Sequence, residues 1–186
     1  MKPRIPLTIT VAVLGGLSCL VTWQGLGIPV WALFIGWAWY YYEGSSPAAF
    51  KKVIPSAVPG AFSASFAVWL LGAMAPLYTD RPYIVYMLVL IFIVFLTVLM
   101  LMLFLKIKIF PSSLAAFNAY SSVFALTFIG SYPYAGDTSV GALVPIFFCF
   151  LWALIGNWLG PVFGWLSIAL QFSKKVDEPA EEAKEA

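Results

Sequence analysis

The sequence contains no histidine, and its two cysteines, Cys19 and Cys149, stand alone inside apolar runs. The commonest metal ligand and the side chain that titrates nearest neutral pH are therefore missing, and neither cysteine has CxxC or CxxxH company. Metal, haem and redox chemistry are not expected, and no cofactor is expected. Charge is scarce as well: Asp, Glu, Lys and Arg make up 10% of the chain, against about 25% in a soluble domain. Between Ile5 and Ser173 the only charged residues are Glu43, Lys51, Lys52, Asp80, Arg81, Lys106, Lys108 and Asp137. What is abundant is apolar: 62% hydrophobic and 18% aromatic residues, with a mean hydropathy of +0.95 over 186 residues. Nearly the whole chain can sit at bilayer depth, where each charge is costly. The class is an all-α, polytopic membrane protein, with the lipid bilayer as its first partner and nucleic acid excluded as one.

At about 20 residues per crossing, six helices fill the length. They are expected from Ile5 to Trp23, Pro29 to Tyr42, Ile54 to Pro76, Pro82 to Leu105, Pro111 to Tyr132 and Gly141 to Gly160. Most starts carry or adjoin a proline, which suits the first turn, where its missing N–H is not needed. The basic Lys2 and Arg4 before the first run resemble the start of a signal peptide. However, Gly15, Gly16 and Ser18 form no A-x-A site, and Gly16 stands where a lipoprotein box has leucine, three residues before Cys19. The run is read as a retained helix.

The distribution of Lys and Arg tests this count independently. With a cytoplasmic N-terminus, the inner segments hold Lys2, Arg4, Lys51, Lys52, Lys106, Lys108, Lys174, Lys175 and Lys184, and the outer loops hold Arg81 alone. That asymmetry follows the positive-inside rule and an odd number of spans would scramble it. Both ends are thus expected in the cytoplasm. After Gly160-Pro161 the apolar piece from Val162 to Phe172 is too short to cross again and reads as an interfacial helix; the alternative is one long tilted sixth helix. Residues 1–173 form the expected transmembrane domain, and 174–186 an acidic, disordered cytoplasmic tail.

The prolines suggest an internal symmetry. Pro29 and Pro55 punctuate helices two and three, and Pro111 and Pro145 punctuate helices five and six, at spacings of 26 and 34 residues. Three plus three spans make an inverted-topology repeat, with a solute path where the halves meet. Helix four, all large apolar residues apart from Thr97, is expected to face lipid. Helix three carries Ser56, Gly60 and Ala64 on one row and Ala57, Ala61 and Ser65 on the next, so it is expected at the centre. Such small residues, with Ala32, Gly36, Ala115, Ala119, Gly156 and Gly160 elsewhere, either close tight seams or leave a narrow path open.

The polar inventory within the spans is short. Asn118 and Asn157 are uncharged amides at depths where an unpaired amide costs on the order of 2 kcal/mol. They either bond neighbouring helices or replace the hydration of a small neutral solute. Glu43 follows an aromatic run at the inner end of helix two, where it is a gate or proton acceptor, or simply solvated at the headgroups. Trp31 and Trp37 lie deeper than an interfacial belt requires and are candidates to line a constriction. No Asp, Glu, Lys, Arg or His falls mid-span, so ion-coupled exchange ranks below a passive path. An enzyme is not expected, for want of an acid, base or metal ligand.

The segments Trp31 to Gly36, Lys51-Lys52-Val53-Ile54-Pro55-Ser56, Phe110-Pro111, Asn118 and Leu143-Val144-Pro145 resemble the YcdZ-like family of small bacterial inner-membrane proteins, a domain of unknown function. The resemblance covers most of the span region. It implies a bacterial inner-membrane protein of this size and supplies no functional residue. In size and span count the chain is also similar to six-helix urea and amide channels, an architectural analogy. The expected function is a channel or facilitator for a small neutral solute, in a homo-oligomer. Its rivals are a substrate-binding subunit of a larger transporter and a membrane scaffold.

Overall fold

The structure is a computed structural model and describes residues 2–3, 5–22, 27–171 and 173–174. Among the described residues seven helices follow in order: α1 (Leu7–Ser18), α2 (Val30–Tyr42), α3 (Pro47–Ala73), the single turn α4 (Ala75–Tyr78), α5 (Tyr83–Phe104), α6 (Ser113–Ile129) and α7 (Leu143–Ala169). A 3-10 turn, Cys19–Thr22, extends α1. Two short strands, β1 (Lys2–Pro3) and β2 (Ser173–Lys174), pair antiparallel, with Lys2 opposite Lys174. Residues 175–186, where most of the expected acidic tail falls, lie outside the described residues, as does Trp23.

Helices α3, α5 and α7 are long and apolar enough to cross a membrane; α1 and α6 are apolar but shorter, and α2 has 13 residues. Three of the six expected spans therefore meet the length criterion by themselves. Two boundaries differ from the sequence reading. Helix α3 begins at Pro47, seven residues before the expected Ile54, and runs through both Pro55 and Pro59. At 27 residues it is about 40 Å long, which exceeds a hydrocarbon core about 30 Å thick by roughly two turns, and Lys51 and Lys52 fall in its first two turns. Pro55 therefore does not open a helix, and the proline punctuation is not the mark of a repeat.

Helix α7 likewise continues through Gly160-Pro161 to Ala169, so no separate interfacial helix forms over 162–172. Proline removes an N–H from the ladder, but neighbouring helices compensate inside a bundle. Here the carbonyl of Asn157, four residues before Pro161, lies against the backbone of Gly36, whose Cβ if present would be 2.3 Å from that oxygen. The close approach suits a Cα–H···O contact.

The helix partners follow a regular scheme. Helix α2 lies along α7, and α6 along α3; α1 packs on α7, and α5 on α3; α3 and α7 meet each other. Exchanging α1 with α5, α2 with α6 and α3 with α7 maps this set onto itself. Helices α3 and α7 have 27 residues each. Gly60 and Gly156 are each the fourteenth residue of their helix, seated against Ala116 and Ala32 respectively.

As the sequence suggested, α3 is central, with Ser56, Ala57, Gly60, Ala61, Ala64 and Ser65 all buried. Helix α5 buries only Ile93, Thr97 and Leu101. Its one small polar residue explains its docking: Thr97 shares a hydrogen bond of 2.8 Å with the hydroxyl of Tyr120 on α6. The rest of α5 is an exposed apolar surface that includes Leu88, Ile91, Phe92, Phe95 and Leu99.

The described lysines gather at one end. The Ser112 hydroxyl donates to Glu43, and its N–H donates to Ser56, which joins the α5–α6 loop to the end of α2 and to α3. Thr10 donates to the Ser167 carbonyl, and Tyr41 bonds the Ser167 hydroxyl, which brings the start of α1 and the end of α7 to the same end. Lys51, Lys52, Lys106 and Lys108, with the β1–β2 pair, share this end, and Asp80, Arg81 and Asp137 fall in the connections at the other.

Candidate functional site

The polar centre of the bundle forms where α6 meets α7. Asn118 donates from Nδ2 to Asn157 Oδ1 at 2.6 Å. Asn157 in turn donates to the Ser122 hydroxyl at 3.0 Å and to the Ala153 carbonyl at 2.8 Å. Ser122 donates to the Asn118 carbonyl one turn back, at 2.9 Å. Asn157, 3% exposed, has both N–H groups and its oxygen engaged. Asn118 is half-buried and spends one N–H in this way; among the described residues its side-chain oxygen takes no hydrogen bond.

The other candidates lie elsewhere. Trp31 is half-buried against the larger apolar cluster, which contains Ala116, Ala119, Tyr120 and Ala153. Trp37 belongs to a second cluster with Leu14 and Leu33, stacked on Phe34 at 6.0 Å and tilted against Phe163 at 5.8 Å. Its indole N–H is buried and, among the described residues, makes no hydrogen bond. The two tryptophans thus face different clusters and do not form one constriction. Glu43 is separate again, at the basic end.

Glu43 is held rather than simply solvated. Its side chain is 14% exposed, with Lys52 Nζ at 2.9 Å from Oε2 and the Ser112 hydroxyl at 2.9 Å from Oε1. Ser112 caps α6, its oxygen accepting from the Ala115 N–H at 3.4 Å. A carboxylate at a helix N-terminus also meets the positive end of the helix dipole. One acid, one lysine, two serines and a helix end therefore tie together α2, α3 and α6.

The small residues close seams rather than leaving space. A Cβ on Gly60 would stand 1.9 Å from the Ala116 carbonyl oxygen, and one on Gly160 would stand 2.3 Å from the Trp37 nitrogen. Backbones touch at both places, and Ala32, Ala57, Ala61, Ala64 and Ala119 are fully buried. Several bonds had no distinct signal in the sequence. Trp158 donates its indole N–H to the Ile54 carbonyl beside the α3 prolines, Ser56 accepts from the Ser112 N–H, and Ser122 accepts from Asn157 on α7. The sequence reading opened this helix at Pro111 and so missed Ser112 as the cap of α6, although a serine standing between a proline and an apolar helical run is the signal that marks one.

The assembled chemistry is that of neutral hydrogen-bonding groups in an apolar surround. Among the described residues no group of three or more His, Cys, Asp or Glu side chains forms. Outside the spans, Asp137 accepts from the N–H and the hydroxyl of Ser139. Both bonds favour the ionised form and hold its carboxyl below the usual carboxylate value.

The profile of the family described as protein of unknown function, DUF1097, matches residues 8–171. The chain belongs to the DUF1097 family. The match runs from α1 past the end of α7, so the whole helical bundle is the DUF1097 unit. No curated protein and no solved structure matches the chain.

Proposed function

We propose that this DUF1097 protein is a six-span facilitator that lets a small neutral solute cross the bacterial inner membrane passively, without catalysis. The finer relationship proposed is with the YcdZ-like proteins. The observation that carries the reading is the exchange pattern of the helices: α2 on α7 answers α6 on α3, and α1 on α7 answers α5 on α3. That pattern is the one expected of a three-plus-three inverted repeat, in which solutes pass where the halves meet. The amides of Asn118 and Asn157 join α6 to α7 within one half, beside the seam where the Asn157 backbone meets Gly36 of α2, and the Asn118 oxygen, which takes no hydrogen bond among the described residues, is the group offered to the solute. The pairing of β1 with β2 supports an even number of crossings, and the basic end is assigned to the cytoplasm.

Stopped-flow light scattering on proteoliposomes tests this reading. Faster efflux of one among urea, formamide, acetamide and glycerol, compared with protein-free vesicles, is the expected result, and Asn118→Leu should remove most of it. Unchanged efflux of all four with folded, oriented protein would refute it. A second reading is a scaffold or binding subunit within a homo-oligomer or a larger assembly. It is favoured by the closed Gly60, Gly36 and Gly160 seams and by the exposed face of α5. It predicts a stable complex in mild detergent.

A further inference from the structure

The basic end carries more positive charge than the described residues neutralise. Four lysine side chains at this end are described, Lys51, Lys52, Lys106 and Lys108, and all four are exposed. Glu43 is the one carboxylate among them, and Lys52 and Ser112 already occupy its two oxygens. Lys51, Lys106 and Lys108 have no ion pair among the described residues. The α5–α6 loop also alternates charge with apolar surface. Lys106, Ile107, Lys108 and Ile109 are consecutive and all exposed, Ile107 by 49% and Ile109 by 62%. This loop is held in place at both sides, by the Ile107 carbonyl accepting from the Phe110 N–H and by Ser112 on Ser56 and Glu43.

We infer that Lys51, Lys106 and Lys108 form a binding surface for the phosphodiester of an anionic phospholipid, with Ile107 and Ile109 seated among its acyl chains. Isoleucines exposed at the end of a span gain by entering the apolar layer, and the flanking ammonium groups then lie at headgroup depth. The ligand class follows from charge complementarity: among the described residues three cations without an ion pair, no carboxylate beside them other than the already occupied Glu43, and apolar contacts that a soluble phosphate cannot make. Each lysine near an anionic leaflet contributes about fivefold in affinity, so three contribute on the order of a hundredfold. The inference does not depend on whether the protein passes a solute.

The test uses the full chain in a neutral detergent, titrated with phosphatidylglycerol and with phosphatidylcholine of the same acyl chains. Bound lipid is counted by native mass spectrometry. Phosphatidylglycerol should bind at least tenfold more tightly, and K51Q/K106Q/K108Q should erase that preference. Arg81→Gln at the opposite end should leave it unchanged, and I107S/I109S should weaken both lipids alike. If the triple variant is poorly folded, Lys106→Gln and Lys108→Gln made singly should each show the fivefold step. Equal binding of the two lipids by the unaltered chain, or an undiminished preference in the lysine variants, would overturn the inference. So would competition by inorganic phosphate at the lipid's own effective concentration, which would mark a free-anion site instead.

Discussion

Replacing Gly60 by alanine tests the packing at the centre of the bundle. Its Cβ would stand 1.9 Å from the Ala116 carbonyl oxygen and 2.7 Å from the carbonyl carbon, and both are backbone atoms that no rotamer change can move aside. Restoring ordinary contact at 3.4 Å requires α3 and α6 to part by about 1.5 Å. Overpacking of this kind costs about 1–3 kcal/mol, and more where backbone must shift. Alanine regains up to about 1 kcal/mol through helix propensity. The steric term wins, and Gly60→Ala should destabilise the protein by roughly 2 kcal/mol. Gly72 lies in the same helix with nothing within 4 Å of its Cβ position. There only the propensity term operates, and Gly72→Ala should be neutral or stabilising by up to about 1 kcal/mol. Reversible SDS unfolding in mixed micelles, followed by circular dichroism, measures both. A Gly60→Ala protein as stable as the Gly72→Ala protein would refute the backbone contact between α3 and α6.

Three further outcomes follow from single contacts. Asn118→Leu and Asn157→Leu should each destabilise the bundle by about 1 kcal/mol, with a coupling energy of similar size in a double-mutant cycle; additive losses would mean that the 2.6 Å bond contributes nothing. Ser112→Ala removes both the cap of α6 and a bond to Glu43, and should cost about 1 kcal/mol, while Ser112→Thr should retain most of the stability in a thermal melt. Asp137 should titrate below its ordinary value of 3.8, because Ser139 favours the ionised form. Its contribution to loop order is then present above that value and lost as pH falls through the lower folded value. Carboxyl NMR titration checks this, and Ser139→Ala should move the midpoint back up; a midpoint at or above 3.8 in the unaltered chain would contradict the loop geometry.

Much of the fold was legible because lipid-facing and buried positions need different side chains. The run of large apolar residues in α5 and the small-residue rows of α3 were each enough to place those helices outside and at the centre. The boundaries at Pro55 and Pro161 were not legible. Proline is a stop signal when judged on its own N–H, whereas in a bundle the freed carbonyl finds a neighbour, as the Asn157 carbonyl does at Gly36. The candidate residues were partly legible for a similar reason. Asn118, Asn157 and Glu43 stood out because polar groups are rare in such a chain, but nothing local said that the two amides pair or that Glu43 meets Ser112.

By itself, then, the sequence determined what depends on composition and period: an apolar helical bundle, the order of its helices, its basic segments and its few polar positions. Only the tertiary structure decided what depends on contacts between distant segments. It paired α2 with α7 and α6 with α3, closed the glycine seams, separated Trp31 from Trp37 and brought the lysine-bearing segments to one end. Hydropathy acts on each residue through its surroundings in lipid, and one residue's preference can be read alone. Helix pairing depends on the joint shape of two surfaces, which exists only once both helices are formed and placed side by side.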